Sequence, residues 1–284
     1  MLLLVDFLMR LSFGLCFGMA ITPHNKVTSG YYRNHLYVVL GLAALAALLS
    51  RTSAPSAFWF AAVVALGSYV GSVLYLYERV DLGRGVLVAL TAAALGGSLA
   101  TTFDTENAEG GTNTGYAFEN PTAGETLTAK QAQQLAGQAR RVGAQAGTMA
   151  LVSRTTSGLL LGVTMAAMLL GHWYLNTPTM ELAPLRRLLL GMTAAVALHS
   201  LVCVLGLSAE VNGRTMLSTQ WMLFVSLRWA FGLFGVAVLT WMSWETLKVP
   251  NTQSATGILY VAVIGTFVGE TMSILLSAES LFPL

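Results

Sequence analysis

Several apolar stretches of this sequence are interrupted by ionisable side chains, which are costly to place in hydrocarbon. These residues are Asp6, Arg10, Arg154, His199, Arg228 and Glu270. Charged groups inside membrane-spanning helices usually pair with one another or mark an ion pathway. The six residues therefore predict an intramembrane polar cluster. It would hold a proton, an anion or a quinone headgroup, or it would lock the helices in register through salt bridges. Within it, Glu270 is expected to pair with Arg228.

Three histidines on one predicted side of the membrane suggest a cofactor. His35 opens the second apolar stretch and His172 closes the fifth, so both are expected at the same depth on different helices. Two axial histidines from separate helices are what a b-type haem requires in a helical bundle. His24 lies in a loop on the same side and could replace either ligand. An interfacial anchor is the alternative interpretation of such histidines.

A second pattern overlaps the first and indicates a metal. Met165, Met168 and His172 are spaced i, i+3 and i+7, which places them on one face of a helix. Thioether and imidazole groups suit Cu(I). Methionine is also a common filler of apolar helices. The pattern therefore predicts either a copper site or ordinary packing.

The composition indicates that these residues lie in an integral membrane protein. Of the 284 residues, 55% are hydrophobic and 10% are charged, against about 25% charged in soluble domains. Stretches of about 20 apolar residues can span a bilayer as helices. Eight occur, near 1–21, 35–50, 56–77, 84–101, 147–171, 186–208, 219–244 and 255–278. The net charge of +2 and the lack of a long basic face argue against nucleic-acid binding.

The order of the motifs indicates an internal duplication. The segments RLSFGLCFG (10–18) and RTTSGLLLG (154–162) share the pattern Arg-x-x-x-Gly-Leu-x-x-Gly. LGLAALAAL (40–48) then matches LGMTAAVAL (190–198), and GVLVALTAAALGG (85–97) matches GILYVAVIGTFVG (257–269). We predict two four-helix repeats, 1–101 and 147–284, joined by a polar segment, 102–146. Because each repeat has an even number of spans, the repeats should be parallel, and their paired glycines should form close helix contacts.

The short loops predict the orientation in the membrane. Most Lys and Arg residues of these loops fall on one side, which the positive-inside rule assigns to the cytoplasm. Both termini and the polar segment are then outside, in what we predict to be a bacterial inner (plasma) membrane. Arg186 and Arg187 are interpreted as anchors to the headgroups on the cytoplasmic side, and a phosphate or lipid-headgroup site is the alternative interpretation.

No catalytic signature accompanies these features. The sequence has no GxSxG, HExxH, Walker, GxGxxG or paired CxxC motif, so stand-alone catalysis is not expected. Our first hypothesis is a membrane subunit of an electron-transfer or quinone-linked complex, with b-type haem or quinone as cofactor and other membrane subunits as partners. The alternatives are a small-ion or metal (copper) permease and a non-catalytic scaffold subunit.

Overall fold

The computed structural model of the chain describes residues 1–108, 129–177, 179–213, 218–249, 251–277, 280 and 282–284, with side chains except at 103–108, 129–141 and 213. Its helices are α1 (Leu2–Ile21), α2 (Ser29–Ser53), α3 (Pro55–Leu76), α4 (Val80–Ala108), α5 (Ala129–Asn176), α6 (Ala183–Gly213), α7 (Thr219–Leu227), a π-helical segment (Arg228–Gly235), α8 (Val236–Thr246) and α9 (Thr252–Ser277). Of the polar segment predicted at 102–146, residues 109–128 lie outside this description.

The prediction of an all-helical chain with eight helices of spanning length is confirmed. In the described part of the chain, eight helices are long and apolar enough to cross a membrane, and no strand occurs. One of the eight, Thr219–Thr246, combines α7, the π-helical segment and α8. Large apolar side chains cover the outside of the bundle, and Leu48, Trp59, Leu66 and Phe234 are each 70–71% exposed. Such a surface is suited to lipid.

The helices pack as two rings. In the first, α1 contacts α2 and α4, and α3 contacts the same two helices. In the second, α5 contacts α6 and α9, and α8 contacts the same two helices. Most of the contact between the rings is made by α1 and α5. These are the two helices that carry the repeated arginine–glycine pattern.

Glycines allow α1 and α5 to touch along their backbones. A Cβ atom added to Gly14 would lie 1.9 Å from the Gly158 carbonyl oxygen, and one added to Gly162 would lie 2.0 Å from the Gly14 carbonyl carbon. At Gly67 on α3 the near neighbour is a side chain instead, since a Cβ atom added there would lie 2.7 Å from Leu90 Cδ2. Small residues bring helix backbones together where lipid supplies no hydrophobic drive, so the α1–α5 contact depends on its glycines.

Candidate functional site

The six ionisable residues of the predicted polar cluster form one connected group, here called the charged cluster. Its members are Asp6 and Arg10 on α1, Arg154 on α5, His199 on α6, Arg228 on the π-helical segment and Glu270 on α9. Four of them are at most 4% exposed, and the side chains of the other two, Arg10 and Arg154, are 12% and 15% exposed. The charged cluster therefore lies inside the bundle and joins both rings.

At one end of the charged cluster, Asp6 lies between the two arginines of the repeated pattern. It pairs with Arg10 one turn along α1, and its Oδ1 lies 3.6 Å from Nη1 of Arg154. Thr101 on α4 completes this end, since its hydroxyl lies 3.0 Å from Asp6 Oδ1 and accepts a hydrogen bond from Arg154 Nη1 at 3.0 Å. One carboxylate is thus held by cationic side chains from both rings.

The other end of the charged cluster is organised around Glu270. Its Oε2 lies 3.4 Å from Nη1 of Arg10, and its Oε1 lies 3.7 Å from Nε2 of His199. Arg10 therefore bridges the two carboxylates. The sequence interpretation named Arg228 as the partner of Glu270. In the structure, Nη1 of Arg228 donates to the Gly269 carbonyl at 3.3 Å, and Nη2 lies 3.1 Å from His199 Nε2.

His199 has hydrogen-bonding neighbours on both ring nitrogens. Its Nδ1 lies 2.9 Å from the hydroxyl of Thr156, and its Nε2 lies between the Arg228 guanidinium and the Glu270 carboxylate. A guanidinium can only donate, and a carboxylate can only accept. Neutral Nε2 can accept from Arg228, whereas Nε2–H can donate to Glu270. The position of one proton therefore selects which of the two neighbours His199 binds.

The backbone around Glu270 is shaped by a π-helical segment and two glycines. A Cβ atom added to Gly232 would lie 2.6 Å from the Gly269 Cα, and one added to Gly269 would lie 2.4 Å from the Gly232 Cα. The wider π-helical turn begins at Arg228 itself. Such turns inside α-helices are frequent at functional sites. The π-helical turn and the two glycines together bring Arg228 into direct contact with the part of α9 around Glu270.

A small cavity lies against the charged cluster. Its volume is about 10 Å³, and its lining includes His199, Arg228, Thr266 and Glu270. This is close to the space that one water molecule needs. Within the described residues, the buried Nε of Arg228 has no hydrogen-bond partner. The cavity thus offers room for a water beside an imidazole, a guanidinium and a carboxylate.

The predicted haem ligands His35 and His172 each use Nδ1 in a hydrogen bond. Nδ1 of His35 lies 2.5 Å from the Tyr31 carbonyl oxygen, and Nδ1 of His172 lies 3.2 Å from the Tyr260 hydroxyl. His35 is buried and its ring centroid is 6.3 Å from that of Trp173, whereas His172 is exposed. These hydrogen bonds leave Nε2 as the nitrogen for any ligand. Haem ligation stays a prediction.

His24, the third predicted cofactor ligand, has different neighbours. It lies in the loop after α1, and its ring stacks on Tyr32 at 4.3 Å and on Tyr75 at 6.0 Å between centroids. Burial and the nearby Arg84 lower the pKa of His24 to about 4, so its imidazole is uncharged at neutral pH. His24 therefore belongs to an aromatic stack with α2 and α3.

The methionines of the predicted copper site take part in core packing. Met168 is 7% exposed and Met165 is partly buried against the same core, while His172 is exposed on the next turn. In the described part of the chain, no group of three or more His, Cys, Asp or Glu side chains could hold a metal ion. A methionine-based Cu(I) site stays a prediction.

Sequence reasoning missed the neutral side chains that complete the charged cluster. The hydroxyls of Thr101, Thr156 and Ser157 contact Asp6, His199 and Arg10 respectively, and Arg228 Nη2 lies 3.2 Å from the Cys203 sulfur. Two of them, Thr156 and Ser157, lie inside the repeated pattern, and Cys203 is one turn from His199. Spacing on a shared helix face could have found Ser157, three residues after Arg154, and Cys203, four residues after His199.

Comparison of the chain with protein-family models, with curated proteins and with solved structures gave no match. The class of this protein is therefore defined by its own fold and by its charged cluster. Over the residues that the structure describes, it is an all-helical protein with eight helices of membrane-spanning length and a buried charged cluster at the junction of its two rings.

Proposed function

We propose that this protein is a small-ion permease in which the ion is the proton, and that His199 and Glu270 form the exchanging pair. One observation carries the proposal: the His199 Nε2 lies between Arg228 and Glu270, beside a cavity with room for one water. Ionisable residues buried within membrane helices commonly mark proton relays. Because His199 and Glu270 come from α6 and α9, small helix movements change their separation.

The proton would alternate between two arrangements of the same groups. With His199 neutral, Arg228 donates to Nε2 and the Glu270 carboxylate accepts from Arg10. With His199 protonated, Nε2–H turns from Arg228 toward Glu270, 3.7 Å away. A water in the cavity would complete the transfer, since 3.7 Å exceeds an ordinary hydrogen bond. Transfer of the Nε2 proton from protonated His199 to the Glu270 carboxylate leaves a neutral imidazole and a neutral carboxylic acid, so the net charge of the pair is unchanged at this step.

The size of the cavity favours a proton over the other candidates for this site. A quinone headgroup is a six-membered ring with two oxygens and needs far more than about 10 Å³. Hydrated metal ions also exceed this volume. A proton carried on a single water is the species that fits.

The parallel 4+4 repeat is the architecture that we propose for this permease. Two observations support it. The helices of the two rings contact one another in the same order, and α1 and α5 share the arginine–glycine pattern. Parallel repeats are known in transporters, which move one half against the other around a central site. The charged cluster lies at that junction. We propose that the protein lies in a bacterial inner membrane with both termini outside, an orientation that the loop charges favour.

Proton flux into sealed vesicles tests this function. In liposomes that hold a pH-sensitive dye and carry an imposed membrane potential, the wild-type protein should acidify the interior faster than protein-free vesicles. Glu270→Gln should lower this rate at least tenfold, because the amide keeps the size of the side chain but cannot take up a proton.

A matched control is Glu245→Gln, which neutralises an acid with a 42% exposed side chain at the end of α8. Its flux should equal that of the wild type. The permease proposal is wrong if wild-type vesicles acidify no faster than empty ones, or if Glu270→Gln retains the full rate with an unchanged melting temperature. The scaffold hypothesis expects the first of these results.

A second candidate function, a membrane subunit of an electron-transfer complex with b-type haem, is favoured by the histidine hydrogen bonds. Metal-binding histidines usually donate one ring N–H to a carbonyl or another acceptor and bind metal through the other nitrogen. His35 has this arrangement, with Nδ1 on the Tyr31 carbonyl, and His172 has Nδ1 on Tyr260. His35 and His172 are the residues that would hold the iron.

Absorption spectroscopy tests this second candidate. Protein expressed with a haem precursor and purified in detergent should show a Soret band, which His35→Ala and His172→Ala should each abolish. His24→Ala should keep the band, since His24 lies in a separate aromatic stack. A colourless wild-type protein would refute haem binding and would leave the proton-flux experiment unaffected.

A further inference from the structure

A basic cleft opens at the end of the bundle where α1 ends and where α4 and α6 begin. Its volume is about 570 Å³, within the range of small-molecule sites. Its lining includes Ile21, Thr22, His24, Asp81, Arg84 and Arg187. None of these residues belongs to the charged cluster, so the cleft is a separate feature from the proposed proton site.

The charged side chains of the basic cleft come from both rings. Arg84 lies on α4 and Arg187 on α6, and both are exposed. Within the described part of the chain, neither guanidinium forms an ion pair. Guanidinium groups bind phosphate oxygens through paired N–H donors. Two guanidinium groups that line one cleft and have no carboxylate partner are suited to binding a phosphate.

His24 adds a buried nitrogen to the basic cleft. Its Nε2 is buried and has no hydrogen-bond partner among the described residues. The ring stacks on Tyr32 and Tyr75, and His24 lines the cleft together with Arg84. A buried imidazole nitrogen without a partner is costly. His24 borders the cleft, and the ligand contacts proposed below come from other residues.

We propose that the basic cleft binds a phosphate ester that also carries a hydrogen-bond donor, with the phosphate on Arg84 and Arg187 and the donor on Asp81. Among the described residues, Asp81 is the only acid in the cleft lining, and a carboxylate accepts hydrogen bonds from hydroxyl or ammonium groups. Phosphoglycerol and phosphoethanolamine groups have both features. The site therefore selects for more than negative charge.

The ester has two possible sources, a lipid headgroup and a free phosphate ester. Ala20 and Ile21, the last residues of an apolar helix, also line the basic cleft, and they offer a surface that acyl chains would contact. A lipid would use this surface, whereas a free ester would not. Binding measurements with both ligands separate the two sources.

Binding to the full chain in detergent tests the proposal, with phosphatidylglycerol and glycerol 3-phosphate as probes. The wild type should bind at least one of them, and the double variant Arg84→Gln/Arg187→Gln should weaken that binding at least tenfold. The control Arg33→Gln/Lys248→Gln removes two positive charges outside the cleft lining and should change binding less than twofold. Melting temperatures of both double variants report whether the fold is intact.

The pattern of binding identifies the source. Selective binding of phosphatidylglycerol assigns a lipid, and binding of glycerol 3-phosphate assigns a free ester. Equal binding by the wild type and the Arg84→Gln/Arg187→Gln variant overturns the site, as does the absence of binding to both probes. This result would leave the flux experiment on Glu270 unaffected.

Asp81 gives an independent measurement that does not depend on the arginines. If the source is a lipid, the wild type should bind phosphatidylglycerol or phosphatidylethanolamine at least fivefold better than phosphatidylcholine, which has no donor on its headgroup. Asp81→Ala should remove this preference while phosphate binding remains. A preference that is unchanged in Asp81→Ala would contradict the role of Asp81.

Discussion

Gly162→Ala should prevent stable assembly of the two rings. The new Cβ would lie 2.0 Å from the Gly14 carbonyl carbon and 2.2 Å from its Cα. Since both neighbouring atoms are backbone, α1 and α5 must separate by about 1.4 Å, from 2.0 Å to the 3.4 Å at which ordinary contact begins. Overpacking usually costs about 1–3 kcal/mol, and we expect a loss of about 3 kcal/mol or more in the free energy of unfolding. Thermal unfolding in detergent measures it.

The control for this prediction is Gly41→Ala on α2. A Cβ atom added to Gly41 meets no atom within 4 Å. Since alanine favours a helix over glycine by about 1 kcal/mol, Gly41→Ala should keep or raise the melting temperature. Equal melting temperatures for Gly162→Ala and Gly41→Ala would contradict the close α1–α5 contact.

Separation of α1 from α5 should also disturb the charged cluster. Arg10 lies one turn before Gly14 on α1 and reaches Glu270 at 3.4 Å and Ser157 at 3.5 Å. A displacement of about 1.4 Å is large compared with the range over which such contacts form. Any Gly162→Ala protein that remains folded is therefore expected to show weakened proton flux.

Arg10→Leu should be the second severe change, because Arg10 serves both buried carboxylates. It pairs with Asp6 and lies 3.4 Å from Glu270, and those acids are 3% and 4% exposed. Removing one partner of a buried ion pair typically costs about 3–5 kcal/mol, since the remaining charge stays buried without compensation. We expect a loss of this size, measured by denaturant or thermal unfolding.

Two further variants make the Arg10 prediction specific. Combining Arg10→Leu with Asp6→Asn and Glu270→Gln should recover part of the lost stability, because no carboxylate is left uncompensated, while Arg154 and Arg228 keep their charges. Lys248→Met removes one partner of an exposed pair, Lys248–Glu245 at 2.6 Å, and should cost at most about 1 kcal/mol. Similar losses in the free energy of unfolding for Arg10→Leu and Lys248→Met would show that the buried ion pairs stabilise the protein no more than the exposed pair does.

These stability measurements also distinguish the function hypotheses. A scaffold needs the charged cluster only for helix register, so a stably folded triple variant would serve it as well as the wild type. A proton permease needs the titrating carboxylate, so the same variant should be stable and inactive. Recovery of stability without recovery of flux therefore supports the permease.

Composition and hydrophobic length were sufficient to predict the helical class. Charge was too scarce for a soluble surface, and each apolar stretch was long enough to satisfy its own backbone as a spanning helix. The observed helix bounds differ from the predicted ones mainly where polar residues continue a helix beyond its apolar stretch. The fifth apolar stretch was placed at 147–171, whereas α5 extends over Ala129–Asn176. Hydropathy detects the part of a helix that lies in lipid and does not detect its polar extension.

The ionisable residues of the candidate site could be identified from the sequence, because charged residues are rare within apolar stretches. Their pairing was decided only by tertiary structure. Glu270 lies beside Arg10, 260 residues away in the chain, and no spacing rule relates residues on helices of different rings. Helix periodicity specifies neighbours within one helix, as for Asp6 and Arg10. Which helices meet depends on how their surfaces fit, and here on the glycines that let α1 and α5 touch.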